Sequence, residues 1–181
     1  MAALLSALML NGCETPQPKG HDQAVRPTSF LDAQKAFLAG DYDGALLKFQ
    51  AAAKEQPRLA PEASYWIGVC RLKQGRTASA EDAFRQCLAG KPDDTLKLNA
   101  LTGIGNCQQQ SGKHDLAART YSQVLASSSK FIERDLISYS YGLCLLKSGE
   151  AAKGRAALQE MIRMYPSSPW AAEAKKMMND E

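Results

Sequence analysis

Histidine is nearly missing: among 181 residues there are only His21 and His114. His21 lies in a proline-bearing stretch and His114 in the turn-like string GKHD, so neither has the surroundings that pair a base with a nucleophile. No Cys-x-x-Cys pair occurs among the five cysteines, which argues against a redox motif and a zinc knuckle. Asp41 with Asp43, and Asp93 with Asp94, lack a third ligand and read as helix-start residues. Gly103 and Gly105 form a GxG without a preceding strand, so no phosphate cradle is expected. The net charge is only +3 and the basic residues are scattered without interleaved aromatics, a poor footprint for nucleic acid. Beyond the first ten residues no apolar run approaches membrane-spanning length. These absences argue against an enzyme, a cofactor, a metal site and a small-molecule substrate.

What the chain does have is a period. Gly68 and Gly75, Gly105 and Gly112, and Gly142 and Gly149 form three pairs, each seven residues apart and each 37 residues after the last. Five residues beyond the second glycine stands Ala45, Ala80, Ala117 or Gly154, and nine beyond it Phe49, Phe84, Tyr121 or Leu158. Seventeen beyond come Pro57, Pro92 and Pro166, with Ser129 the exception. A small residue lets two helices of a hairpin approach, the large one fills the gap beyond, and proline stops the second helix for want of an amide proton. Gly40, Gly75, Gly112 and Gly149 are then expected at the hairpin turns with positive φ. A repeat array buries its core between neighbouring units and leaves a long surface free.

The spacing resembles the tetratricopeptide repeat, most closely in AFLAGDYDGALLKFQAAAKEQP of unit one. Ala33 departs from the pattern, standing where glycine is expected, and the later units run to 37 residues against the family's 34. The resemblance implies an all-α, right-handed superhelix of about four helical hairpins over residues 28–181. Helices are expected near 29–39, 42–55, 61–74, 77–90, 97–110, 114–127, 133–148 and 151–164. A ninth, over 169–179, begins at Ser168 and Pro169 and should cap the stack. The string YPSSPWAAEA is similar to the last repeat of bacterial envelope proteins of the BamD and CpoB types.

The first thirteen residues suggest an address. Ala2–Leu10 is uncharged and almost wholly apolar, too short to span a bilayer but of signal-peptide length. Leu10, Gly12 and Cys13 resemble a bacterial lipobox, although no Lys or Arg precedes the apolar run. The resemblance implies diacylglycerol on Cys13, a lipid anchor on the periplasmic face of the outer membrane, and residues 14–27 as a flexible tether. The competing reading is a disordered N-terminus of a cytoplasmic protein that happens to hold a cysteine.

Cys70, Cys107 and Cys144 occupy one repeat position and read as small buried core residues. Cys87 with Cys107 is the one pair worth testing as a disulfide. By the resemblance, the first helices line a groove through Phe30, Gln34 and Phe37, Tyr65, Val69 and Leu72, Thr102, Asn106 and Gln109, and Tyr139, Leu143 and Leu146. Such a groove, apolar at its ends and amide-rich in its middle, suits an extended or helical peptide. The family's clamp for a C-terminal carboxylate is not expected, because its positions hold Phe30, Gln34, Trp66, Asn99 and Gly103. The function implied is a scaffold that binds another envelope protein. Its alternatives are a BamD-like subunit of β-barrel assembly, which usually has five units, and an accessory subunit of cell-wall enzymes.

Overall fold

The computed structural model describes residues 26–127 and 133–179. Among them run α1 (Thr28–Leu38), α2 (Tyr42–Glu55), α3 (Ala60–Lys73), α4 (Thr77–Ala89), α5 (Asp94–Gln110), α6 (His114–Leu125), α7 (Arg134–Lys147), α8 (Ala151–Met164) and α9 (Pro169–Asn179), with a 3-10 turn at Pro57–Leu59. No described residue is in a strand. The first eight helices pair into four hairpins, α1 with α2 through α7 with α8, and each second helix also packs on the first helix of the next unit. The hairpins stack into a superhelix. First helices also meet directly, α3 against α5, and α9 closes the end by packing on both α7 and α8.

Each hairpin turn is built the same way. Gly40, Gly75, Gly112 and Gly149 have φ of 80°, 72°, 73° and 88°, the left-handed region in which a side chain is strained. The amides of the next residues, Asp41, Arg76, Lys113 and Glu150, each donate at 2.9 Å to the carbonyls of Ala36, Arg71, Gln108 and Leu145. This six-to-one bond satisfies a carbonyl that the helix end would otherwise leave without a partner.

The other glycine of each pair does a different job. A Cβ on Gly68 would lie 2.7 Å from the Phe84 ring, one on Gly105 2.6 Å from the Tyr121 ring, and one on Gly142 2.7 Å from Leu158. These helices therefore touch through backbone on one side and a large side chain on the other, which allows close approach. Gly103 also faces Phe84, at 2.7 Å, so the GxG of α5 seats two rings, one from its own unit and one from the preceding unit. The core runs along the stack as four clusters, around Phe30 and Phe49, Phe84 and Ile104, Tyr121 and Ile137, and Leu158 and Met161.

One helix start differs from expectation by more than one residue. α5 begins at Asp94, three residues earlier than expected, because the Asp93 carboxylate accepts the Leu96 amide at 2.8 Å and caps it. Residues 26 and 27, the last of the span expected as a tether, contact α1 and α3. Arg26 donates to Glu62 at 2.8 Å and lies 4.7 Å above the Phe30 ring, and the Pro27 carbonyl accepts the Phe30 amide. The leader over 1–13, Cys13 and the tether up to residue 25 lie outside the described residues, as do residues 128–132.

Candidate functional site

The first helices α1, α3, α5 and α7 bring twelve expected groove residues into one row, but not all of them face a groove. Phe30 is wholly buried, edge-on to Phe49 at 5.2 Å and beneath Arg26. It belongs to the core of unit one, because helix α2 and the entering chain both cover it. Tyr139 is 8% exposed and stacks on Trp170 of α9 at 5.3 Å. Leu143 and Leu146 pack in the same cluster, with Trp170, Met177 and Met178. The capping helix thus covers the inner side of unit four, which is a correction to a groove expected to extend along all four units.

The open part spans units one to three. Gln34, Phe37, Tyr65, Val69, Leu72, Thr102, Asn106 and Gln109 are all half-buried. Its first section is aromatic. Phe37 lies 5.6 Å from Tyr42 and 5.3 Å from Trp66, and Tyr65 lies 5.7 Å from both Trp66 and Phe84. Trp66 was not among the expected lining residues, yet it stands at the centre of this set and also stacks on Phe49 at 5.8 Å. The signal was the adjacent pair Tyr65–Trp66, two bulky rings on neighbouring faces of one helix. Val69 and Leu72 continue the strip, packing beside Phe84 and Ile104.

The middle section is polar and braced from behind. The buried Tyr121 hydroxyl lies 2.7 Å from the Asn106 amide oxygen and 2.9 Å from that of Gln109, and shares its one proton between them. Burial first, then nearby Cys144, pushes the tyrosine well above its usual titration range, so it remains a donor. Beside it the Thr102 hydroxyl donates to the Leu98 carbonyl at 2.9 Å. A second buried string runs Thr120 to Gln108 at 2.8 Å and Gln108 to Glu81 at 3.5 Å, and Glu81 pairs with Arg85 at 2.6 Å. Asn99 is half-buried, whereas Phe30 and Gly103 are buried, so the positions of a carboxylate clamp do not form one.

Cys70, Cys87, Cys107 and Cys144 are free and buried, and no bond joins Cys87 to Cys107. Burial pushes Cys70 and Cys144 to about 11 and Cys87 and Cys107 to about 12. Among the described residues no group of three or more His, Cys, Asp or Glu side chains could hold a metal ion. No described helix is long and apolar enough to cross a membrane.

Comparison with known proteins agrees with this architecture. The tetratricopeptide repeat model matches residues 31–95 and 103–169. The fold is similar to that of MamA from Desulfovibrio magneticus RS-1, with TM-score 0.71 and 18% identity over 84% of this chain and 85% of that one. It is similar to YrrB, described as a TPR protein with an unusual peptide-binding site, with TM-score 0.67 and 13% identity over 86% and 79%. It is similar to PilF of Pseudomonas aeruginosa, with TM-score 0.68 and 15% identity over 86% and 69%. At these identities the likeness concerns the fold. No relative among curated protein sequences matches the chain. Four hairpins with glycine turns, a large side chain seated on Gly68, Gly105 and Gly142 of successive first helices, and a model match over more than half its length place the chain in the tetratricopeptide repeat family.

Proposed function

We propose that this protein is a lipid-anchored scaffold of the bacterial cell envelope that holds a segment of another protein in the groove of units one to three. One observation carries the binding reading: eight side chains of three successive first helices stay half-exposed in a row, Gln34 and Phe37 in α1, aromatic and aliphatic in α3, and polar in α5. Rings and aliphatics bury apolar residues of a bound segment, and amides pair with its backbone. Because Tyr121 engages the amide oxygens of Asn106 and Gln109, the NH2 of each is left as a donor for a bound carbonyl. YrrB, of similar fold, is described as having a peptide-binding site. The anchor reading rests on the Leu10, Gly12 and Cys13 pattern. The YPSSPWAAEA string keeps a BamD-like role in β-barrel assembly as the second reading, against which stands a count of four hairpins rather than five among the described residues.

A photo-crosslinking residue at Val69 or Asn106 should capture a partner in native envelopes, whereas one at the exposed convex positions Asp82 or Arg119 should not. Capture from the convex positions alone would refute the groove. Radiolabelled palmitate should enter the wild-type chain expressed in a diderm bacterium and fail to enter Cys13→Ala, and equal labelling of both would remove the anchor.

A further inference from the structure

The two long edges of the stack differ in charge. The loop edge, where one unit leads to the next, mixes signs: Lys91, Asp94, Lys97 and Glu133 are all exposed there. The hairpin-turn edge follows a pattern. Where the second helices begin, units one and four have an acid, Asp41 and Glu150, and the two middle units have a cation, Arg76 and Lys113. The Asp41 carboxylate accepts the Gly44 amide at 2.9 Å, whereas α4 and α6 start without a side-chain cap. A helix start favours an acceptor and negative charge, so Arg76 and Lys113 stand against the local rule in two successive units. Residues that break such a rule without compensation concentrate where a surface serves a ligand.

These cations border the open groove. The Thr77 hydroxyl, one residue after Arg76, reaches the Gln110 amide oxygen at 3.3 Å, beside Gln109 of the groove. Lys73, which follows Leu72 in α3, adds a third cation to this edge. Lys73, Arg76 and Lys113 are exposed and make no ion pair among the described residues. The nearby acids are engaged elsewhere: the Gln74 amide donates to Asp43 at 2.8 Å, and Asp115 pairs with Arg119 at 3.9 Å. The adjoining polar groups of the groove are donors as well, since Tyr121 engages the amide oxygens of Asn106 and Gln109. Donors and cations without acceptors call for a ligand that brings carboxylates.

We infer, on the groove reading above, that the bound segment is acidic, its apolar side chains on the rings and aliphatics of α1 and α3 and its Asp or Glu side chains at Lys73, Arg76 and Lys113. Arg76 and Lys113 belong to successive units, whose equivalent helices lie about 8–10 Å apart. A single terminal carboxylate does not serve cations spread in this way. An extended segment rises about 3.3 Å per residue, so acidic side chains at every third residue keep step with the units. Charge of this kind speeds encounter and excludes basic segments more than it adds affinity.

Three pools of peptides of about nine residues, three for each unit crossed, serve as probes. Every third position is Asp or Glu in the first pool, Lys or Arg in the second and Gln in the third, with Phe, Leu, Val or Ser elsewhere. All carry one neutral dye and an amidated C-terminus, so no terminal carboxylate is present. In anisotropy titrations with the full chain, the acidic pool should bind at least about tenfold more tightly than the Gln pool. That margin should vanish near about 1 M salt, where the screening length is about 3 Å. Lys73→Glu combined with Arg76→Glu should abolish the margin and admit the basic pool, whereas Lys48→Glu on the exposed side of α2 should leave it unchanged. Arg76→Glu alone should weaken the acidic pool without lowering the melting temperature, because it restores an acid to a helix start. Failure of the acidic pool to bind would overturn the inference. So would equal binding of the acidic and Gln pools, preference for the basic pool, or indifference of the acidic pool to Lys73 and Arg76. A photo-crosslinker at Val69 separates the two readings. Capture of the Gln pool as efficiently as the acidic pool would keep the groove and remove its preference for acids, whereas capture only from Asp82 or Arg119 would sink both.

Discussion

At the residue scale, the two glycines of a repeat serve opposite demands and should fail for different reasons. Gly112→Ala places a Cβ in open space but at φ of 73°, and should cost about 1 kcal/mol of backbone strain. Gly112→Asn should recover part of that, because asparagine tolerates the left-handed region. Gly105→Ala gains about 1 kcal/mol of helix propensity but sets its Cβ 2.6 Å from a Tyr121 ring held in place by Asn106 and Gln109. Overpacking of about 1–3 kcal/mol should win, so chemical denaturation should show a net loss. In a Tyr121→Ala background the same alanine should be neutral or favourable, and simple additivity of the two changes would show that the ring is not the obstacle. The buried thiols make a second prediction at this scale. Their titration is raised from 9.0 in the unfolded chain to about 11 or 12 when folded, so the neutral form is favoured in the native state. Their stabilising contribution is complete below pH 9 and is lost as pH rises through that window. The melting temperature should be insensitive to the thiols near neutrality and fall above pH 9, less steeply when Cys87 and Cys107 are both replaced by alanine and the two proteins are compared by their slopes.

At the element scale, helices were legible wherever punctuation was periodic. Glycine turns and prolines placed α2, α8 and α9 at their observed bounds, and most other ends within a few residues. α5 was missed at its start because Asp93 and Asp94 can be loop or cap, and only the carboxylate bond to the Leu96 amide decides between them. The groove was legible as a row of positions, not as a surface. Helical spacing puts Phe30 and Tyr139 on the same side as Val69, but spacing does not reveal that Arg26 folds over the first or that Trp170 lies on the second. That covering contact makes α9 a structural element with a measurable role. The Ser168 hydroxyl accepts the Trp170 amide at 3.2 Å and donates to Asp135 at 2.6 Å, fastening the helix start to α7. Since Trp170 is half-buried, Trp170→Ala should cost roughly half the value of a fully buried ring, about 2 kcal/mol by urea unfolding. A change below about 0.5 kcal/mol would mean that α9 does not close the stack in solution.

At the scale of the whole molecule, the stack is held by contacts between neighbours, so the units need not respond alike. Besides the apolar core, the Gln74 amide reaches Asp43 at 2.8 Å and the Thr77 hydroxyl reaches Gln110 at 3.3 Å, each joining one unit to the next. In such arrays stability is close to a sum of unit and interface terms, and opening can begin at an end. A segment lying across units one to three would couple those units without touching the last one, whose inner side α9 already covers. Hydrogen exchange should therefore show a graded response once a partner segment has been identified by crosslinking. Amides of α1, α3 and α5 should exchange more slowly in the complex, because opening any of them would break the shared contact. α7 and α9 should change little. Protection concentrated on α4 and α6 would put the ligand on the convex side. Protection spread through α7 and α9 would require the cap to move, and would show that the groove extends the full length of the array after all.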